Sequence, residues 1–329
     1  MTDDRVEQLR HDTAGGPSAL RVLLDGYAAD DSPLAGIGER PTGVVLAGLG
    51  SSRYGALTAA AEARRLGIAA WPELASSGAP TPPAPGQVLV AISASGRTRE
   101  TVEAARRYRA GGGRVIAVTN EPTSTLAEDA DHVLPLLAGG ERSGIATRTF
   151  RATLAVCAML TRRWADPDWS AESLRATVAR LEAVMDGAEA WLPAAVDLFQ
   201  GYMAIDVLGD DADAALVHQA ALMLREAPRQ PAVPHDTADW LHTAVYLALP
   251  GHRALLFSGS DVDAEVVETI RRRGGETVVV GSPVPGAALT IPIPHCEGPF
   301  ERAIVASVVA ELLSAELWSR TTAEDLGRA

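Results

Sequence analysis

The chain has 329 residues, of which 47% are hydrophobic, 22% charged and 5% aromatic, with only two cysteines; this excludes a small domain, a disulfide scaffold and a disordered chain. Acidic residues outnumber basic ones 42 to 29, for a formal charge of -13. That field repels a nucleic-acid backbone and an anionic membrane, so neither is an expected partner.

At roughly 150 residues per domain the length suggests two domains. The amino-terminal MTDDRVEQLRHDTAGG lacks the apolar run of a signal peptide, and no apolar stretch reaches about 18 residues, so a cytoplasmic location is expected. Leu20, Val22, Leu23 and Leu24 suggest a first helix from Ser18 to about Tyr27. The run Val44 to Ala47 reads as a strand ending in GLGSS, followed by a helix from Thr58 to Leu66 that stops before Gly67. After the Pro-rich SSGAPTPPAPG, a second strand over Val88 to Ile92 ends in SASGRTRET and a helix through Arg109. Strands over Arg114 to Thr119 and His132 to Leu136 complete the series, with NEPTSTLAEDAD between them. Short apolar strands alternating with helices indicate a parallel sheet covered on both faces.

FRATLAVCAMLTRR, within Thr149 to Arg163, reads as a helix apolar around most of its surface. Ala171 to Gly187, with Leu174, Val178, Leu181 and Val184 at spacings of three and four, reads as an amphipathic bridge between the halves. The second half runs through YMAIDVLG, a helix from Ala212 to Glu226, a strand at Ala254 to Phe257 and a helix from Asp261 to Arg273. Thr277 to Val280, the ambiguous LTIPIP and a helix from Phe300 to about Trp318 follow. The expected fold class is α/β: an amino-terminal helical segment over 1–34, a first domain over 35–168, the bridge over 169–196 and a second domain over 197–329.

The loops GLGSS and SASGRT both follow carboxyl ends of parallel strands, where open α/β sheets place ligands. Ser93, Ser95 and Thr98 around Gly96 can direct hydroxyls and amides to an oxyanion at a helix start. The competing reading makes Ser93 an N-cap and Ser95 or Thr98 part of an ordinary turn. Neither GxGxxG nor GxxxxGK[ST] is completed, which argues against a dinucleotide or a nucleotide-hydrolysing site. Glu226 and His242, in or just after the long helix of the second half, are the candidate carboxylate and imidazole for acid–base work, against the plainer readings of a solvated helix-end carboxylate and a structural histidine. His235, Asp236, Asp239 and His242 have loop spacing rather than ligand spacing, so no metal is expected. RR at 162–163 and RRR at 271–273 read as solvated helix faces.

GLGSSRYG at 48–55, SASGRTRET at 93–101, AVTNEPTSTLAEDAD at 117–131 and GIATRTF at 144–150 together resemble the sugar isomerase (SIS) domain family of phosphosugar-binding modules. The layout is similar to its tandem members, such as the isomerase half of glucosamine-6-phosphate synthase and the related phosphosugar deaminases and deglycases. The resemblance implies two three-layer αβα domains with parallel sheets, a homodimer, and a sugar phosphate such as a hexose or hexosamine 6-phosphate as ligand, with no cofactor. It places Ser51, Ser52, Ser93, Ser95 and Thr98 on the phosphate, Glu226 on proton transfer, and His242 on ring opening beside a neighbouring subunit's phosphate loops. The glutaminase domain of the synthase has no counterpart here, so the implied reaction is a glutamine-independent isomerisation or deamination/deglycation. Met223 stands where the family has a substrate-facing lysine, the tail TTAEDLGRA lacks a further lysine, and Ala94 and Val233 replace a glutamine and a carboxylate. These departures leave a non-catalytic phosphosugar-binding or regulatory protein as the alternative; a catalytic site requires Glu226 and His242 to meet over the serine loops.

Overall fold

The computed structural model describes residues 2–29, 32–201 and 204–321. Two helices, α1 (Thr2–Ala14) and α2 (Gly16–Ala28), precede a first αβα unit. That unit contains β1 (Gly43–Gly48), α3 (Ser51–Arg65), β2 (Ala69–Leu74), β3 (Gln87–Ile92), α4 (Arg99–Ala110), β4 (Arg114–Thr119), α5 (Thr125–Glu128) and β5 (His132–Pro135). Helices α6 (Arg148–Ala165), α7 (Arg175–Asp186) and α8 (Leu192–Phe199) lead to the second unit. It comprises β6 (Ile205–Gly209), α9 (Ala214–Glu226), β7 (Ala232–Asp236), α10 (Thr237–Trp240), β8 (Arg253–Phe257), α11 (Asp263–Arg272), β9 (Glu276–Val280), β10 (Leu289–Ile291) and α12 (Pro299–Arg320).

All pairings within the two five-stranded sheets are parallel, in the orders β2-β1-β3-β4-β5 and β10-β9-β8-β6-β7. Read from the other end, the second order repeats the first, so the approximate duplication seen in sequence is a repeat of topology. Every β1 residue is buried, as is all of β3 after Gln87, because helices cover both faces of the sheet.

Helices α3, α6, α9 and α12 pack together between the sheets, sharing one apolar core with both. The all-round apolar composition of α6 fits this central place: Thr149 to Thr161 is buried throughout. Smaller apolar clusters close the outer faces, under α4 on the first sheet and under α10 and α11 on the second. The bridge expected over Ala171 to Gly187 begins as a 3-10 turn, Ala171–Leu174, before α7 packs on α2 and α12.

Strands β2 and β7 escape the sequence reading. Both carry a proline, Pro72 and Pro234, and expose a large apolar side chain, Trp71 or Val233, so neither shows the buried apolar run of an inner strand. Tyr202 and Met203, the expected start of β6, and residues 322–329, most of the lysine-free tail, lie outside the described residues. No described helix is long and apolar enough to cross a membrane.

The outer face of the second sheet contains a buried carboxylate. Asp206 accepts a 2.6 Å hydrogen bond from the Nε1 of fully buried Trp240, while the Nε2 atoms of His235 and His252 lie at 3.4 and 3.2 Å. Burial alone would raise the Asp206 pKa, but these partners hold it below the usual carboxylate range. A depressed folded-state pKa stabilises the fold above about pH 4, and that contribution is lost as pH falls toward the folded value. Asp206→Ala also orphans the Trp240 N–H, so urea denaturation at pH 7 should show a loss of about 2–4 kcal/mol that shrinks in acid; an unchanged midpoint would contradict this account.

Candidate functional site

The first domain places its two hydroxyl-rich loops side by side, after the paired strands β1 and β3. Gly48 and Gly50 bring α3 against the end of β1. A Cβ on Gly48 would lie 2.9 Å from the Ser52 carbonyl carbon, and Gly50 has φ +52°. The helix therefore starts at Ser51, seven residues before the expected Thr58, and Ser51 and Ser52 occupy its first turn, half-buried. Their backbone N–H groups are among those a helix start leaves without intrahelical acceptors.

In the second loop the Ser93 N–H donates to the Val118 carbonyl at 3.0 Å, and the Asn120 N–H donates to the Ala94 carbonyl at 2.9 Å. Thr98, not Ser93, is the N-cap of α4, which corrects the capping reading, and the Thr98 hydroxyl does not cap the helix. It lies 3.0 Å from the buried Ser93 hydroxyl instead. Ser95 is exposed, and its Oγ accepts from the Arg97 N–H at 3.2 Å, so an ordinary turn holds it at the surface. Ser93 and Thr98 thus form a hydroxyl pair at the start of a helix, with Ser95 above them.

The rest of the enclosure was not visible in the sequence, because its contacts join distant segments. Asn120 secures the loop after β5 by accepting from the Ala138 N–H and donating to the Gly139 carbonyl, both at 2.9 Å. Further along that loop, Glu141 accepts from the amides of Thr147 and Thr149 at 2.6 and 3.0 Å, and buried Asp12 accepts from the Ser143 amide at 2.8 Å. Gln219 of α9 then donates to the Ala146 carbonyl at 2.9 Å, tying the GIATRTF segment to the second domain.

Helices α3 and α9 run antiparallel. At one end Tyr54 stacks on His218, with ring centroids 5.0 Å apart. At the other, Arg162 reaches both Glu62, late in α3, and Glu301, while neighbouring Arg302 binds Asp213 just before α9 at 2.8 Å. These contacts correct the solvated reading of Arg162. Helix α9 continues eight residues past His218, about 12 Å, in the direction in which α3 has only three residues left before Ser51. Glu226 is thereby carried toward the serine-loop edge of the first sheet. Its residue is solvent-exposed, yet partial burial of the carboxyl pushes its pKa up from the usual carboxylate value, with Arg225 opposing.

His242 goes elsewhere. Strand β7 and α10 intervene between it and α9, so it does not follow that helix directly as the sequence suggested. It is exposed in the turn after α10, at the carboxyl edge of the second sheet, whereas Glu226 lies at the amino edge. Since α3 and α9 are antiparallel, that carboxyl edge points away from the serine loops. Within one chain Glu226 and His242 lie at opposite edges of the second sheet, an arrangement compatible with the resemblance, which sets His242 beside a neighbouring subunit's phosphate loops.

Met223 is fully buried in the core. All 29 basic residues counted with arginine are in fact arginines; these 329 residues include no lysine. No ε-amine is present to form an imine with an opened sugar.

The corresponding loops of the second domain carry carboxylates. Asp263 Oδ2 accepts from the Gly259 and Ser260 amides at 2.7 and 3.1 Å, so a resident anion already holds the donors a phosphate would need. Burial pushes Asp213, beside Arg302, up to about 6. His235, Asp236, Asp239 and His242 form no cluster: His235 faces Asp206, and Asp236 caps α10 through the Ala238 and Asp239 amides. Among the described residues no group of three or more potential ligands is placed to hold a metal. A cavity of about 620 Å³ lies at the opposite edge of the first sheet, among Pro83–Gly86 and Gly111–Gly113, and its Arg40 and Arg114 are spent on backbone carbonyls.

The SIS domain profile matches residues 73–163. The glutamine–fructose-6-phosphate aminotransferase (isomerizing) of Aeropyrum pernix is 31% identical over 283 residues, covering 81% of this chain and 46% of that protein. The chain spans about half the length of this curated relative. Among solved structures, the fold matches the Escherichia coli tagatose-6-phosphate ketose/aldose isomerase with a TM-score of 0.81 at 16% identity, covering 95% of this chain and 92% of that one. It also matches the Thermotoga maritima glucosamine-6-phosphate deaminase with a TM-score of 0.76 at 19% identity, covering 98% and 96%. With its own residues, the profile and the two-sheet fold in agreement, the chain belongs to the SIS-domain family.

Proposed function

We propose that the chain is a phosphosugar isomerase or an amino-sugar-phosphate deaminase/deglycase that works without glutamine. The phosphate rests on Ser51, Ser52, Ser93, Ser95 and Thr98, and Glu226 moves a proton between adjacent sugar carbons. The observation that carries this reading is the Ser93 and Thr98 hydroxyl pair, 3.0 Å apart at the start of α4 and not used to cap it. Hydroxyls and amides bind a phosphate through directed hydrogen bonds, which offset the repulsion of an otherwise acidic chain. The raised Glu226 carboxyl supports the proton-transfer role, because a base works best with a pKa near the working pH. Without lysine no imine to the enzyme's own side chain forms, so Glu226 moves the proton on the open-chain sugar, and in a deamination the resulting imine of the sugar's own amine is hydrolysed by water with release of ammonia.

His242 belongs to this site only across a dimer, where one protomer supplies the serine loops and Glu226 and its partner supplies the imidazole. Mixed subunits test this. Glu226→Gln and His242→Asn homodimers should each be inactive, and co-refolding them in equal amounts should restore about a quarter of wild-type activity, since half the dimers then contain one intact site. No recovery, despite mixed dimers confirmed by mass spectrometry, would remove His242 from the mechanism.

The reaction itself is tested by incubation with a panel of hexose and hexosamine 6-phosphates, following product by mass and ammonia release. Turnover of at least one is expected. Binding without turnover across the panel would favour a phosphosugar-binding regulatory role, for which the buried Met223 in place of a lysine is the supporting observation.

A further inference from the structure

Most arginines of this chain are occupied. Arg21 pairs with Glu182 at 2.6 Å, Arg114 donates to the Ile37 and Gly36 carbonyls, and Arg302 grips Asp213. The side chains of Arg53, Arg97, Arg142 and Arg225 make no hydrogen bond, ion pair or ring contact among the described residues. All four belong to segments bounding the serine loops: the first turn of α3, the SASGRT loop, the loop after β5 and the last turn of α9. A protein with a formal charge of -13 has thus left four of its unpaired cations on segments around one opening, the other unpaired arginines among the described residues being Arg107, Arg163 and Arg229.

Two of them are placed beside the same side chain. His218 stacks on Tyr54, the neighbour of Arg53, and Arg225 follows His218 by seven residues, two turns along the same face of α9. Arg53 Nε is buried without a partner, so its stem is fixed in the interdomain contact. Burial first, and then the charges of Arg53 and Arg225, hold His218 below the usual imidazole value. A phosphate on the hydroxyl loops does not require this second cationic position.

We infer that the sugar phosphate bound here carries a second anionic group, a carboxylate or a further phosphate, gripped by Arg53 and Arg225 near His218. The inference rests on the phosphosugar reading above and narrows its substrate class. Guanidinium forks suit this task, since each can hold a carboxylate or phosphate through two parallel N–H bonds.

Titration calorimetry in 150 mM salt separates the cases, with fructose 6-phosphate, 6-phosphogluconate and fructose 1,6-bisphosphate as probes. At least one doubly anionic probe should bind about tenfold or more tightly than fructose 6-phosphate. In Arg53→Gln/Arg225→Gln that preference should fall to within about threefold, while Arg107→Gln, which removes an unpaired arginine on α4, should keep it. Melting temperatures confirm that each variant is folded. Equal affinities for all three probes in the wild type would overturn the second subsite and leave the phosphosugar reading intact. Loss of the preference in Arg107→Gln as well would reduce it to a general field and overturn the assignment. Failure of every sugar phosphate to bind would overturn the phosphosugar reading itself.

Discussion

Glu226→Gln lowers kcat by about 10²- to 10⁴-fold, the usual share of a positioned general base, while the affinity for a phosphosugar stays within a few-fold of wild type. The separation follows from position. Glu226 ends α9 in the second domain, whereas the hydroxyls proposed to hold the phosphate belong to α3 and the SASGRT loop of the first. Glutamine keeps the size of the side chain and its place at the helix end but cannot take a proton. Because burial raises the Glu226 carboxyl above its ordinary value, the acid limb of kcat/KM should fall above the usual carboxylate range. The test is a steady-state pH profile of wild type and variant. A variant with more than a tenth of wild-type kcat would move the proton-transfer role to another group.

Gly96→Ala should cripple the proposed phosphate loop. Gly96 has φ +61°, and an added Cβ would lie 1.9 Å from Ser124 Oγ and 2.4 Å from Ser124 Cβ, with Thr119 Oγ1 at 2.9 Å. Rotation of the Ser124 hydroxyl can relieve the first contact but not the second. Left-handed strain of roughly 1–2 kcal/mol and overpacking of roughly 1–3 kcal/mol together give an expected destabilisation of about 2–5 kcal/mol. The backbone would relax by pulling Ser95 and Arg97 out of register, so phosphosugar affinity should fall by tenfold or more even where the variant remains folded. Chemical denaturation and calorimetry on the same sample check both effects. Wild-type stability would show that the loop is not pinned at Gly96.

What the sequence made legible follows burial. Strands β3 and β4 are near-continuous apolar runs because both faces of their sheet are covered, and their boundaries agree with the reading to within a residue. The serine loops stand out because each separates such a strand from a helix. Strand β7 was hidden by Pro234 and exposed Val233, and missing it placed His242 beside α9 when it belongs to the far edge of the second sheet. Asn120 and Arg53 fall within the family-like stretches but nothing local marked their roles, and Gln219 carried no signal. Asn120 bonds a loop 18 and 19 residues away and Gln219 a carbonyl 73 residues away, while Arg53 borders the contact that the packing of α3 against α9 creates.

The central claim is that hydroxyls and amides of the first domain hold a phosphate. Calorimetric titration of glucosamine 6-phosphate and unphosphorylated glucosamine into wild type and Ser93→Ala/Thr98→Val tests it most directly. The account predicts binding of the phosphorylated sugar alone, weakened at least tenfold in the double variant at an unchanged melting temperature. Equal affinity of wild type and variant, or equal affinity for the two sugars, would contradict it.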